Sequence, residues 1–204
     1  MITLHALKYS RATRVLWLLA DLGQPCNRVD YDRDQNFRAP ECLRRIHPLG
    51  KSPVIEDDGH VIAESATILR YLVAKYGDHD HTPPVGTPAF WQHEALLDYA
   101  EASLAEVALQ VILPAFQGKP ASEPAQSALN RHLDYLSQEI SDGPLLFGGR
   151  AMLADIQLSY IVALLARFDL LSDHPAIAVY WDALQAQPGY IAAVQAHGPM
   201  APPA

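Results

Sequence analysis

The sequence predicts an α/β sandwich over residues 1–77 followed by an all-helical region over residues 89–204. Three observations predict it. Short apolar runs alternate with helical patterns as far as Tyr76. Gly77, Pro83, Pro84, Gly86 and Pro88 then interrupt helix and ladder alike, so residues 78–88 read as a linker. Beyond Pro88 the apolar spacing is helical almost throughout.

Ile2 to Ala6 is a strand candidate. Ala12 to Leu22 carries Val15, Leu16, Leu18, Leu19 and Leu22 on a broad apolar face, and Gly23 stops the helix. Val29 and Tyr31 alternate with charged residues over Arg28 to Tyr31, which suits a short strand. Pro40 to Ile46 reads as an irregular helical turn. Pro53 to Ile55 and Val61 to Ala63 flank a segment containing Asp58-Gly59, the turn chemistry of a hairpin. Ser65 to Tyr76 places Ile68, Leu69, Leu72 and Val73 on one helical face.

In the second region one long helix is predicted from Ala89 to Phe116 and another from Glu123 to Ser141. Leu153 to Phe168 is apolar nearly all round, as a buried central helix requires. Short helices follow near Pro175 to Ala186 and Gly189 to Ala196, and residues 198–204 read as a frayed tail. Asp78-His79-Asp80-His81 could bind a metal, but nothing else fixes ligand geometry, so a solvated linker and no metal are expected.

Composition narrows the function. Half of the 204 residues are apolar, 19% are charged, and the net charge is −8 without a basic block. Nucleic acid is therefore not an expected partner. The apolar runs are too short to span a bilayer, and no signal-like segment opens the chain. With only Cys26 and Cys42, a reducing cytoplasm is the expected compartment.

Three stretches of the first region carry chemistry. In Gly50-Lys51-Ser52-Pro53-Val54-Ile55 a proline stands directly before a strand, where it cannot donate to the ladder. A cis bond there would offer the Ser52 backbone to a peptide-like ligand; an ordinary trans proline opening an edge strand fits equally. Glu64-Ser65 opens a helix. Ser65 is either its N-cap or part of a carboxylate site at the helix N-terminus, with Glu64 placed to receive an ammonium. Tyr9-Ser10-Arg11 lies between the first strand and helix, where a hydroxyl can donate to an anion. Alternatively Ser10 or Thr13 caps the helix and Tyr9 packs at the sheet edge.

Taken together, Tyr9-Ser10-Arg11, the run His47 to Pro53, and Glu64-Ser65 resemble the amino-terminal domain of cytosolic glutathione transferases. The likeness extends over both regions and is nearest to the bacterial and fungal group with an Asn-Ser-Arg-like run after the first strand. It implies a thioredoxin-like glutathione-binding domain at 1–77 and a helical-bundle domain at 89–204. It also implies that the Ser52 backbone before cis Pro53 pairs with the cysteinyl unit, that Glu64 and Ser65 hold the γ-glutamyl end, and that Lys51 approaches the glycyl carboxylate. Arg11 belongs to the same binding set. Ser10 or Tyr9 would activate the thiol.

The implied function is glutathione transfer to a small hydrophobic electrophile, with possible peroxidase activity, a role in detoxification and no cofactor beyond the glutathione co-substrate. A homodimer is implied as well. The alternative is a non-catalytic glutathione-binding or regulatory protein of the same fold. One departure stands out: Met152 occupies the helix-cap position where relatives carry Ser or Thr, although Asp155 is retained. Losing such a cap costs ~1 kcal/mol, so local compensation is expected.

Overall fold

A computed structural model of the chain describes residues 1–77, 80–140 and 143–203. Packing divides it into two compact units, Met1–His79 with Pro188–Pro202, and Asp80–Gln187 with Pro203–Ala204.

The first unit runs β1 (Ile2–Leu7), α1 (Ala12–Asp21), β2 (Cys26–Tyr31), a 3-10 turn (Glu41–Arg45), β3 (Val54–Asp57), β4 (His60–Ala63) and α2 (Ser65–Tyr76). Among the described residues these strands form one sheet in the order β2-β1-β3-β4. β1 is parallel to β2 and antiparallel to β3. A parallel pair needs a crossover, and α1 supplies it. The hairpin pairs Asp57 with His60 across Asp58 and Gly59, both left-handed (φ 48° and 80°), as a tight two-residue turn requires. Ile2, Leu4 and Ala6 alternate onto one sheet face and are wholly buried, as are Ile68, Leu69 and Leu72 of α2. This is the thioredoxin-like sandwich that the resemblance implies.

One helix departs from the expected division. α8 (Pro188–His197) packs along α1 and so joins the first unit, although the sequence pattern groups it with the helical region. The contact is close because Gly189 has no side chain. An added Cβ would run into the Asp21 carboxylate and the Trp17 indole. Trp17 meets Tyr190 edge-on at 5.5 Å and donates from Nε1 to Asp21 at 2.9 Å.

The second unit holds α3 (Pro88–Tyr99), α4 (Ala105–Phe116), α5 (Glu123–Glu139), α6 (Leu153–Arg167) and α7 (Pro175–Gln185). The single helix predicted over 89–116 is two helices joined by a widened π-helical turn at Ala100–Leu104. The predicted end of the next helix, Ser141, lies outside the described residues. α6 is buried from Leu153 to Leu165, as its all-round apolarity predicts. The missing cap at Met152 is offset by Asp155. Its carboxylate accepts from the N–H groups of Met152 (2.9 Å) and Leu146 (3.1 Å) and from the Tyr180 hydroxyl (3.0 Å). Burial raises that carboxyl to about 6 against these donors.

Two local expectations change. Of the four residues weighed as metal ligands in the linker, Asp78 and His79 lie outside the described residues. His81 is wholly buried rather than solvated: its carbonyl accepts from Leu153 N at 3.0 Å, and Arg150 reaches both His81 (3.3 Å) and Asp80 (3.1 Å). The tail is not frayed at Met200, which is 1% exposed. Among the described residues no helix is long and apolar enough to cross a membrane, and no group of three or more potential ligands could hold a metal.

Candidate functional site

Two of the three chemistry-bearing stretches, those of Ser10 and Ser52, are tied together at one end of the sheet through Leu7, the last residue of β1. Its N–H donates to Ser52 Oγ at 3.0 Å, and Ser52 Oγ donates in turn to the carbonyl of His5 at 2.9 Å. The Leu7 carbonyl accepts from Ser10 Oγ at 2.6 Å. Residues 42 positions apart in sequence thus share one strand end. The Ser52–Pro53 peptide is cis.

Ser10 is buried, and its oxygen also accepts from Ala12 N at 3.1 Å, so its side chain serves the first turn of α1. The Leu7 carbonyl has a second donor, His197 Nε2 of α8 at 3.2 Å, and His197 Nδ1 meets Asp30 at 3.1 Å. Tyr9 is half-buried, has a left-handed backbone (φ 53°) and stacks on Phe37 with ring centres 6.1 Å apart. Arg11 is half-buried at the start of α1.

At α2 the N-cap is Glu64, not Ser65, and Glu64 makes no side-chain cap bond. Its φ of 67° turns the chain sharply from β4 into the helix. Ser65 is therefore the first helical residue. It is buried, and its oxygen accepts from Arg14 Nη1 at 3.4 Å. Arg14 is wholly buried within α1, so a cation stands behind the helix N-terminus. Glu64 and Lys51 are exposed. Beside Lys51, a polar cleft of ≈370 Å³ is lined by Asp34, Arg38, Pro40, Glu41, Arg44 and Gly50. Gly50 has φ 58°, and a Cβ there would meet Arg44 Cγ at 2.8 Å, so both backbone and space call for glycine.

The sequence reading brought forward Tyr9, Ser10, Arg11, Lys51, Ser52, Pro53, Glu64 and Ser65. It passed over Arg14, whose signal was present: a charge between apolar positions of an otherwise buried helix face. It also passed over Arg33, which donates to the Lys8 and Tyr9 carbonyls, and His197, which meets the Leu7 carbonyl; the sequence carries no signal for bonds to backbone carbonyls. In the second unit Tyr99 is tied by its hydroxyl to His132 of α5 at 2.9 Å, and Phe116 packs edge-on against Phe168.

Residues 1–74 match the family model described as the amino-terminal domain of glutathione S-transferase. The chain is 31% identical to glutathione S-transferase 3 of Schizosaccharomyces pombe over 191 residues, covering 86% of this chain and 78% of the relative. It is 30% identical to glutathione S-transferase 1 of Saccharomyces cerevisiae, covering 94% and 93% respectively. Among solved structures, a glutathione S-transferase from Actinobacillus pleuropneumoniae aligns with TM-score 0.86 and 28% identity, over 97% of this chain and 93% of that one.

Proposed function

The chain belongs to the glutathione S-transferase family, and from that premise we propose a glutathione transferase that ionises the bound thiol with Ser10. The observation that carries the proposal is the strand end at Leu7, where Ser10 and Ser52 share one residue. Glutathione would lie along it. Its cysteinyl backbone would pair with Ser52 before Pro53, its γ-glutamyl carboxylate would meet Ser65 with Arg14 behind it, and its ammonium would meet Glu64. Its glycyl carboxylate would lie near Lys51, beside the cleft that holds Arg38 and Arg44. Arg11 adds positive charge at the same turn.

A free thiol with pKa ~8.5 is only a few per cent ionised at pH 7. To serve the sulfur, the Ser10 hydroxyl swings its hydrogen away from the Leu7 carbonyl, which keeps a partner in His197 Nε2 at 3.2 Å. The oxygen still accepts from Ala12 N, so the rotation leaves the helix start in place. The thiol proton passes to solvent, and the thiolate then attacks an electrophilic carbon of a small hydrophobic substrate, forming the S–C bond as the leaving group departs with its electron pair. Tyr9 lines the pocket.

Isothermal titration with glutathione, followed by turnover assays with activated aryl halides and hydroperoxides, tests the proposal. Binding with turnover of at least one class is expected, and the assays also divide transferase from peroxidase emphasis. Tight binding with no turnover of any class would move the chain to the non-catalytic alternative.

The same reading carries a two-fold homodimer, and α3 leaves Trp91 65% exposed for such a contact. Light scattering at micromolar concentration should then return twice the 22.4 kDa chain mass; a monomer removes the idea. The compartment consistent with free Cys26 and Cys42 is the cytoplasm, and cell fractionation checks it. Within the family, Tyr9-Ser10-Arg11 and the two yeast relatives favour the bacterial and fungal group. A phylogeny grouping the chain elsewhere would remove that assignment.

A further inference from the structure

We infer that Arg33 is a positioning residue for the thiol-activating turn, acting through the backbone of Lys8 and Tyr9; the inference rests on the Ser10 reading above. The turn leaving β1 is awkward. Tyr9 has φ 53° without being glycine, a strained conformation that needs outside support. Arg33 supplies it. Its Nε donates to the Lys8 carbonyl at 2.9 Å, and Nη2 donates to the Tyr9 carbonyl at 2.7 Å. Nη1 takes the Phe37 carbonyl at 2.9 Å. The guanidinium lies 4.4 Å over the Phe37 ring, and that ring stacks on Tyr9. The partner loop is itself closed: Asp34 accepts from the N–H groups of Asn36 and Arg38, each at 2.8 Å.

One planar fork therefore binds two consecutive carbonyls of the turn and a third from a loop about thirty residues on. The consequence reaches Ser10 because a trans peptide points its C=O and N–H in opposite directions. Fixing the Tyr9 oxygen fixes the direction of the Ser10 N–H, and a cation on that oxygen makes the amide a stronger donor. Arg33 thus places the Ser10 side chain and strengthens a backbone N–H beside it, both in favour of an anion. Other charged groups surround the turn. Lys8 pairs with Asp32 at 2.6 Å, His197 pairs with Asp30, Arg11 opens α1, and Asp34 and Arg38 stand in the loop. Lysine could replace the charge of Arg33 but not its fork.

The test compares wild type, Arg33→Gln and Arg33→Lys by three measurements: thermal melting, glutathione affinity, and the pH titration of bound thiolate absorbance. Both variants should raise the apparent pKa of the bound thiol, Arg33→Gln by about one unit, a tenfold fall in its ionisation constant. Affinity, held by Ser52 and Ser65, should change by less than about threefold, well under one kcal/mol. An unmoved thiol pKa in a folded variant overturns the inference. So does a fall in affinity matching the fall in stability with the pKa unchanged, the signature of a purely structural residue. If Arg33→Gln does not fold, Arg33→Lys decides by the same criteria. A wild type that binds glutathione without lowering its thiol pKa overturns the Ser10 reading instead.

Discussion

Ser65 has its oxygen 3.4 Å from Arg14 Nη1 and its backbone at the first helical position of α2. It does no capping work, because Glu64 is the cap residue, so its hydroxyl is available to a ligand at little cost to the helix. Ser65→Ala should therefore weaken glutathione binding by about 1.5–3 kcal/mol, the range for a hydrogen bond to a charged group. The melting temperature should fall little. Titration and melting side by side check this, and a stability loss with unchanged affinity would make Ser65 structural only. At this scale the side chains proposed to meet a ligand could be picked out in the sequence, because hydroxyl and carboxylate chemistry can be read from residue type. Arg33 and His197 were not legible, since backbone carbonyls leave no mark on sequence. The Glu64 cap was missed for a related reason: a left-handed glutamate is rare, and residue preference alone favours serine.

The β3–β4 hairpin and α2 are joined by one buried carboxylate. Asp57 accepts from Lys75 (2.7 Å), Tyr71 (2.9 Å) and Tyr76 (2.6 Å). Burial pushes its carboxyl up, but the bonds from Lys75, Tyr76 and Tyr71 outweigh that and hold it at about 2. A carboxyl lowered from 3.8 contributes stability that is complete above the unfolded value and is lost as pH falls through about 2. Asp57→Asn should be less stable than wild type near neutrality and show a flatter loss of stability between pH 4 and 2. Urea denaturation across that range checks it; parallel acid limbs would contradict it. The hairpin itself was legible from Asp58-Gly59 between two apolar runs. The π turn in the long helix was not, because apolar spacing on either side of Ala100–Leu104 continues a helical period. Nor was the allegiance of α8 legible, since Gly189 matters only through what Trp17 and Asp21 bring against it.

For the whole molecule, the change of pattern at residues 77–88 announced two parts, and packing divides the chain nearby, between His79 and Asp80. Chain order does not show that Pro188–Pro202 returns to the first unit and carries His197 to the strand end at Leu7. That return gives the first unit a closing helix on α1 and leaves the Leu7 carbonyl with two donors, one of which can be released. The ultraviolet pH titration of glutathione thiolate bound to wild type, Ser10→Ala and Tyr9→Phe tests whether this arrangement ionises a bound thiol. Ser10→Ala also loses a helix-start contact of ~1 kcal/mol, so its fold is checked by melting in the same samples. The wild-type thiol should have a pKa below the free value of ~8.5, with a rise of about one unit or more in Ser10→Ala and almost no change in Tyr9→Phe. A wild-type thiol that titrates at its free value, or a pKa that moves with Tyr9 and not with Ser10, would overturn the role given to Ser10.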